Sequence, residues 1–118
     1  MKYIIVICAL LLAFGHPSEA DEATPQFLQI EFHVKAEAEA EFLSIMSSIN
    51  ILMKDERGFQ EADVYRHKQN PLHFTLIEKW DSYEAHHEHF VRISENGEWA
   101  AILQMLEIEP QLIYMKPI

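Results

Sequence analysis

Two stretches of the chain alternate apolar and polar residues with a period of two. In the first, residues 27–34, single polar residues separate the apolar ones. The second, LHFTLIEKW at residues 72–80, is rich in β-branched and aromatic side chains. This pattern is typical of half-buried β-strands. Two less regular segments, FQEADVYRH (59–67) and QLIYMKPI (111–118), predict two further strands.

Apolar residues recur at helical spacing in the segment between the first two predicted strands. This segment covers residues 35–58, and Gly58 is expected to end the helix. Its apolar stripe consists of Phe42, Ile45, Met46, Ile49, Leu52 and Met53.

Two further helices are predicted after the third strand. One covers residues 82–93, with Asp81 as its N-cap and Glu84 three residues later, as in a capping box. The other, EWAAILQMLE at residues 98–107, is expected to end because of Pro110.

The order β-α-β-β-α-α-β predicts an α+β fold of the ferredoxin-like, split βαβ type. In this fold, helices cover one face of a four-stranded antiparallel sheet. The strand face expected to meet the helices carries Leu28, Ile30, Phe32, Leu72, Phe74 and Leu76. The opposite face carries Gln29, Glu31, His33, His73, Thr75 and Ile77. Such a semi-polar face suits a dimer interface better than a dry core.

The N-terminus has the composition of a secretory signal peptide. A short basic start precedes the apolar core YIIVICALLLAFG. The segment then ends in Ser18-Glu19-Ala20, with small residues at the two positions that a signal peptidase recognises. The apolar run is short for a bilayer span, and an uncleaved membrane anchor is the alternative. We therefore predict an exported protein, periplasmic or secreted, with a signal peptide at 1–20, a flexible leader at 21–26 and one domain at 27–118.

Cysteine content and charge exclude several classes of protein. The single cysteine, Cys8, lies inside the predicted signal peptide, so the mature domain would have no disulfide and no Cys-based metal site. Its stability must then come from its core, alone or with a partner subunit. The formal net charge of −10 argues against nucleic acid and anionic membrane surfaces as partners, because both require basic patches.

The segment KWDSYEAHHEHF concentrates three histidines next to a tryptophan. On the predicted helix, His86, His89 and Phe90 share one stripe, whereas His87 points about 100° away from His86. A neutral imidazole on an apolar stripe is either a hydrogen-bonded residue at the edge of the core or part of a ligand cavity. His86 and His89 could also chelate a metal. No second cluster has the usual ligand spacing, and we predict no metal site.

These motifs resemble the antibiotic biosynthesis monooxygenase (ABM) family, which includes small quinol monooxygenases. The resemblance covers residues 27–118 and depends on the order and spacing of several short motifs. They are Gly58 at the start of strand two, the Asn70-Pro71 turn, Glu78-x-Trp80 at the end of strand three, Glu84-Ala85, and His89 nine residues after the tryptophan.

The resemblance implies a homodimer of ferredoxin-like α+β barrels that oxidises a small aromatic or quinol-type substrate with O2. It implies no metal, flavin or haem, because the electron-rich substrate anion itself reduces oxygen. The protein would deprotonate the substrate, orient it and exclude water. By this resemblance His89 is the catalytic base. The residues expected to bind the substrate are Trp80, Glu78, His86, Phe90 and Phe32.

Two other functions fit the same fold, since a fold does not determine an activity. A related branch degrades haem, using a helix histidine, a tryptophan and an asparagine on strand one. His89 and Trp80 match this pattern, but strand one, FLQIEFHV, contains no asparagine. Many of the oxygenase relatives carry a second histidine where this chain reads ISENGEW, so the resemblance does not extend to a two-histidine mechanism. Haem binding without degradation, and non-catalytic binding of a small ligand, are therefore the alternatives.

Overall fold

The computed structural model describes residues 24–118. The predicted signal peptide at 1–20 lies outside the described residues, as do residues 21–23 of the predicted leader. No helix within the described range is long and apolar enough to cross a membrane. The elements are β1 (Gln26–His33), a 3-10 turn (Ala36–Ala38), α1 (Glu39–Ser47), α2 (Ile49–Leu52), β2 (Phe59–Arg66), β3 (His73–Trp80), α3 (Tyr83–Glu95), α4 (Glu98–Gln104) and β4 (Leu112–Met115).

The four strands form one antiparallel sheet in the order β2-β3-β1-β4. The central pair, β1 and β3, is matched from Gln26 opposite Trp80 to His33 opposite His73. The α+β, ferredoxin-like prediction is therefore confirmed. β1 begins one residue before the predicted domain boundary, because Gln26 already pairs with the end of β3.

The two faces of the sheet differ in burial, as the alternating pattern predicts. The covered face, which meets the helices, is buried at Leu28, Ile30, Phe32, Phe74 and Leu76. The open face is only half-buried at Gln29, Glu31, His33, His73, Thr75 and Ile77. The hydrophobic core consequently lies between the covered face and the helices.

The prediction of one continuous helix up to Gly58 is wrong. The helix breaks at Ser48, and α2 ends at Leu52. The hydroxyl of Ser47 donates to the Ser44 carbonyl at 3.2 Å, a local bond that competes with helical hydrogen bonding. After the break, the Asn50 side chain bonds both the N–H and the C=O of Ala62, which satisfies backbone groups of the edge strand β2.

Two predicted helix boundaries are also wrong. Ser82, and not Asp81, is the N-cap of α3, because its hydroxyl accepts from the Ala85 N–H at 3.1 Å. The N–H of Asp81 instead donates to the Gly58 carbonyl at 2.7 Å. Helix α4 ends well before Pro110, because the following segment pairs with the end of β1 through a Val34–Leu106 bridge.

Candidate functional site

A cavity of about 420 Å³ lies between the covered face and the helices. Its volume is within the usual range for small-molecule sites. Most of its wall is apolar, and aromatic side chains come from three elements, Phe32 of β1, Phe90 of α3 and Trp99 of α4. Its buried polar residues are few: Glu78, His86 and His89.

Helix α3 is held close to the start of β2, and this fixes both cavity histidines. Gly58 has a φ of +82°, and a side-chain Cβ at this position would collide with the Cβ of Ala85. The missing side chain therefore lets the first turn of α3 approach the strand. One and four residues after Ala85, His86 and His89 then face the sheet and are 2% and 8% exposed.

Trp80 lies beneath the two histidines and does not itself line the cavity. Its indole is fully buried, with ring centroids 5.3 Å from His86 and 5.0 Å from His89. The indole N–H has no hydrogen-bond partner of ordinary geometry. Trp80 therefore contributes to the site by packing against the imidazoles that form its wall.

His86 is bonded from a second element of the fold. Its Nδ1 lies 2.9 Å from the hydroxyl of Tyr114, which β4 supplies. Burial, with smaller contributions from His89 and His87, lowers the pKa of His86 to about 4. The ring is therefore neutral at physiological pH, and its Nδ1 accepts from the Tyr114 hydroxyl or donates to it, according to the tautomer.

His89 has a less complete set of partners. Its buried Nδ1 lies 3.5 Å from Glu56 Oε2, an approach that does not amount to a hydrogen bond. The Glu56 carboxylate is ion-paired with Arg92. Burial lowers the pKa of His89, and the negative charge of Glu98 opposes this change. Because Nδ1 is buried, the nitrogen of this neutral imidazole that can accept a proton from a ligand is Nε2, which has no hydrogen-bond partner among the described residues.

Glu78 is the most unusual ionisable group in the cavity, because it is a carboxyl only 4% exposed. Burial raises its pKa to about 7, and the nearby indole N–H of Trp80 partly opposes the rise although it falls short of a standard hydrogen bond. Strongly perturbed carboxyls of this kind are concentrated at functional sites.

The structure brings together five of the six residues predicted from the sequence. Phe32, Glu78, His86, His89 and Phe90 all line the cavity, and Trp80 supports it from behind. The exposed His87 stacks on Tyr83 outside the cavity.

The polar and aromatic residues of the site that the sequence did not predict include Tyr114, Trp99, Glu56 and Glu98. The alternation of Leu112 and Tyr114 in the last strand was a signal for the first of these.

Metal ligands are not grouped in this part of the chain. Among residues 24–118, no three or more His, Cys, Asp or Glu side chains are arranged to hold a metal ion. The pair His86 and His89, considered above as a chelate, has ring centroids 6.1 Å apart.

Comparison with known families identifies the class to which this fold and cavity belong. The model of the antibiotic biosynthesis monooxygenase family matches residues 25–92, which is more than half of the chain. The chain therefore belongs to the antibiotic biosynthesis monooxygenase family. No functionally curated protein matches it.

Solved structures share the fold at low sequence identity. A conserved protein from Methanosarcina mazei Go1 has a TM-score of 0.71 and 18% identity, covering 85% of this chain and 99% of its own. A candidate antibiotic biosynthesis monooxygenase from Bordetella bronchiseptica has a TM-score of 0.68 and 19% identity, with 80% and 98% covered. A mutant of SnoaB, a cofactor-independent oxygenase from Streptomyces nogalater, has a TM-score of 0.68 and 16% identity, with 80% and 94% covered.

Proposed function

We propose that this protein is a cofactor-independent monooxygenase that oxidises a small aromatic or quinol-type substrate with O2. Membership of the antibiotic biosynthesis monooxygenase family supports the reaction class, and one structural neighbour is named as a cofactor-independent oxygenase. The observation that carries the proposal is the placement of His89, a neutral and incompletely bonded imidazole, in a cavity walled by aromatic side chains.

In the proposed reaction His89 accepts the phenolic proton of a bound quinol. The resulting anion transfers an electron to O2, and recombination forms a peroxide on a ring carbon. The protonated imidazole returns its proton to the peroxide. The ring carbon that carries the hydroperoxide then loses its hydrogen as a proton, the C–H electrons form a C=O bond as the O–O bond breaks, and the released hydroxide leaves as water with that proton. The product is a hydroxyquinone. The substrate loses four electrons and O2 gains four, so no further reductant is needed. The apolar walls exclude water from the reacting anion.

His86 and Glu78 would orient the substrate in this scheme. Because its Nδ1 is engaged with Tyr114, His86 presents a fixed ring edge to the cavity. Glu78 changes protonation near pH 7 and can donate or accept a hydrogen bond. Trp80 would keep both imidazoles in place through its ring contacts.

Oxygen uptake by the purified protein with hydroquinones and anthrones tests the proposal. In metal-chelated buffer, we expect uptake above autoxidation, and a loss of about 10²-fold or more in His89→Ala. His87→Ala is the matched control, because this exposed histidine lies on the same helix outside the cavity. Absence of uptake with every compound would contradict the oxygenase. A Soret band in the purified protein would instead favour haem binding.

We also propose that two copies of the chain associate through their open faces. This face carries Ile113 and Tyr65, which are 44% and 58% exposed, beside the half-buried Ile77. Analytical ultracentrifugation should give a dimer that Ile113→Glu dissociates. Ile51→Glu is the control, because Ile51 is 70% exposed on α2 and away from the sheet. A monomeric wild-type protein would contradict the assembly.

Export is the third part of the proposal. The pattern of residues 1–20 supports it, and the mature chain would begin near Asp21. Expression of the full chain in a bacterial host, followed by mass spectrometry of the envelope fraction, should yield the shortened protein. Recovery of the uncleaved chain in the membrane fraction would favour an anchor.

A further inference from the structure

We propose that the cavity selects uncharged aromatic ligands and rejects anionic ones, and that Glu78 is the main residue responsible. This inference deepens the proposed function, since it names the charge class of the substrate at the same site. It depends on how the charged and polar groups are distributed around the cavity.

Acidic residues are present in the cavity wall and basic ones are not. Glu78 lies on the sheet, and Glu56 and Glu98 come from the helical side. Among the described residues that line the cavity there is no lysine or arginine. Arg92, which is not part of the lining, is ion-paired with Glu56. An anionic ligand would therefore enter without a counter-charge.

The groups that face Glu78 offer no positive charge at neutral pH. His86 and His89 on α3 are held neutral by burial. Tyr114 on β4 is close enough for the charge of Glu78 to contribute to its raised pKa. Glu56 and Glu98 complete the set. Charges in a low-dielectric cavity interact strongly, so a ligand that enters as an anion next to an ionised Glu78 is disfavoured. A quinolate formed inside the cavity differs, because the proton it has lost stays on His89 as a neighbouring positive charge.

Hydrogen bonding favours an uncharged oxygen-bearing ring in the same space. The wall offers neutral imidazoles and a carboxyl that is partly protonated near pH 7. Such groups can bond a carbonyl or a hydroxyl of a ligand. The apolar and aromatic remainder of the wall matches a fused ring system.

Tryptophan fluorescence gives a readout restricted to this site. The chain has two tryptophans, and Trp80 packs under the cavity while Trp99 lines it. The probes are 2-methyl-1,4-naphthoquinone, which is neutral, and 1,4-naphthoquinone-2-sulfonate, which is an anion on the same ring. Both are already oxidised, so binding is measured without turnover.

At pH 8 we expect the neutral quinone to bind at least 10-fold more tightly than the sulfonate. Glu78→Gln should reduce this ratio at least 3-fold, whereas Glu88→Gln, which removes an exposed charge from the same helix as the histidines, should leave it unchanged. In the wild type the ratio should also fall at pH 5.5, where Glu78 is protonated.

Three results would overturn the inference: equal affinity for both quinones, an unchanged ratio in Glu78→Gln, or failure of the neutral quinone to bind. The binding result is independent of the oxygenase assay. Charge discrimination without oxygen uptake would leave this inference intact and contradict the proposed reaction. If an anionic quinol supported oxygen uptake as efficiently as its neutral analogue, the proposed reaction would stand and this inference would be contradicted.

Discussion

The two sides of the sheet both carry histidines, but their surroundings differ. On the covered side, His86 and His89 lie among apolar and aromatic residues, and Nδ1 of His89 has no hydrogen-bond partner. On the open face, His33, His67 and His73 form a cluster of rings, with His33 and His73 stacked at 3.8 Å between centroids.

Polar side chains lie within hydrogen-bonding distance of His67 and His73 in the open-face cluster. Nε2 of His67 lies 3.1 Å from the Thr75 hydroxyl and 3.2 Å from Glu31, and Nε2 of His73 lies 3.1 Å from the Asn70 amide. The same residue type therefore has different surroundings and different hydrogen bonding on the two sides of the sheet. Burial keeps the cavity imidazoles neutral, and the incompletely bonded ring of His89 suits proton transfer. The imidazoles of His67 and His73 are bonded to polar side chains of the open face and suit a polar interface.

The largest effect is expected at the contact that holds α3 over the covered face. Gly58→Ala forces a residue with a side chain to adopt the left-handed backbone conformation at φ +82°. It also brings the new Cβ into collision with the Cβ of Ala85. We expect the free energy of unfolding to fall by about 4 kcal/mol. Gly97→Ala is the control, because Gly97 has a φ of +91° but open space around it, and should lose about 1 kcal/mol. Urea unfolding measures both, and equal losses would refute the role of the close approach.

The buried carboxyl should give the next largest effect. Burial raises the pKa of Glu78 from 4.5 to about 7, so the folded protein retains a proton that the unfolded chain releases. Wild-type stability is therefore lost as the pH rises from 4.5 to 7. Glu78→Gln removes this loss and should raise the free energy of unfolding by about 3 kcal/mol at pH 8. At pH 4 the gain should vanish, and an equal gain at both pH values would contradict the assignment.

The cavity histidine should show the opposite pH dependence. Burial lowers the pKa of His86 from 6.5 to about 4, so its contribution to stability is fully present above pH 6.5 and is lost as the pH falls toward 4. In His86→Gln, the decrease in the free energy of unfolding from pH 7 to pH 4.5, measured by urea unfolding, should be about 2 kcal/mol smaller than in the wild type.

His73→Gln is the open-face counterpart of this variant. Partial desolvation and the neighbouring His33 and His67 lower the pKa of His73, so its contribution to stability is also lost as the pH falls. Because His73 is only half-buried whereas His86 is 2% exposed, the change should be much smaller. A larger change for His73 than for His86 would reverse the comparison of the two sides.

The smallest expected effect concerns the hydroxyl that bonds His86. Tyr114→Phe leaves Nδ1 of His86 without its partner and should lower the free energy of unfolding by about 1 kcal/mol. Tyr83→Phe on α3 is the control, since this tyrosine is 43% exposed outside the cavity and the substitution keeps its ring contacts. Thermal unfolding of both variants decides the matter, and equal shifts in Tm would count against a bond specific to the cavity.

Sequence patterning could predict much of the fold because alternation in β1 and β3 directly reports which residues are buried. It could not predict the break at Ser48 or the end of α4. The segment after the break bonds a distant strand through the Asn50 side chain, which contacts the backbone of Ala62, and the segment after α4 pairs through its backbone, at Leu106 with Val34. Ser82 and not Asp81 caps α3, because the Asp81 carboxylate accepts from the Gln60 side chain of β2 at 2.6 Å.

The candidate site was only partly predictable. Helical spacing placed His86 and His89 on one stripe, and the structure places both at the cavity. The raised pKa of Glu78 and the bond from Tyr114 arise from how β3, α3 and β4 meet in space. Nothing in the local sequence encodes those contacts.

The contrast between the two sides of the sheet predicts that the cavity-side histidines contact the ligand and the open-face histidines do not. Imidazole nitrogen NMR of the mature protein, assigned with single His→Gln variants, tests it during titration with 2-methyl-1,4-naphthoquinone. We predict that the signals of His86 and His89 shift with saturation, while those of His33, His67 and His73 stay in place. Saturable shifts confined to the open-face cluster would contradict the claim and place the ligand on the other side of the sheet.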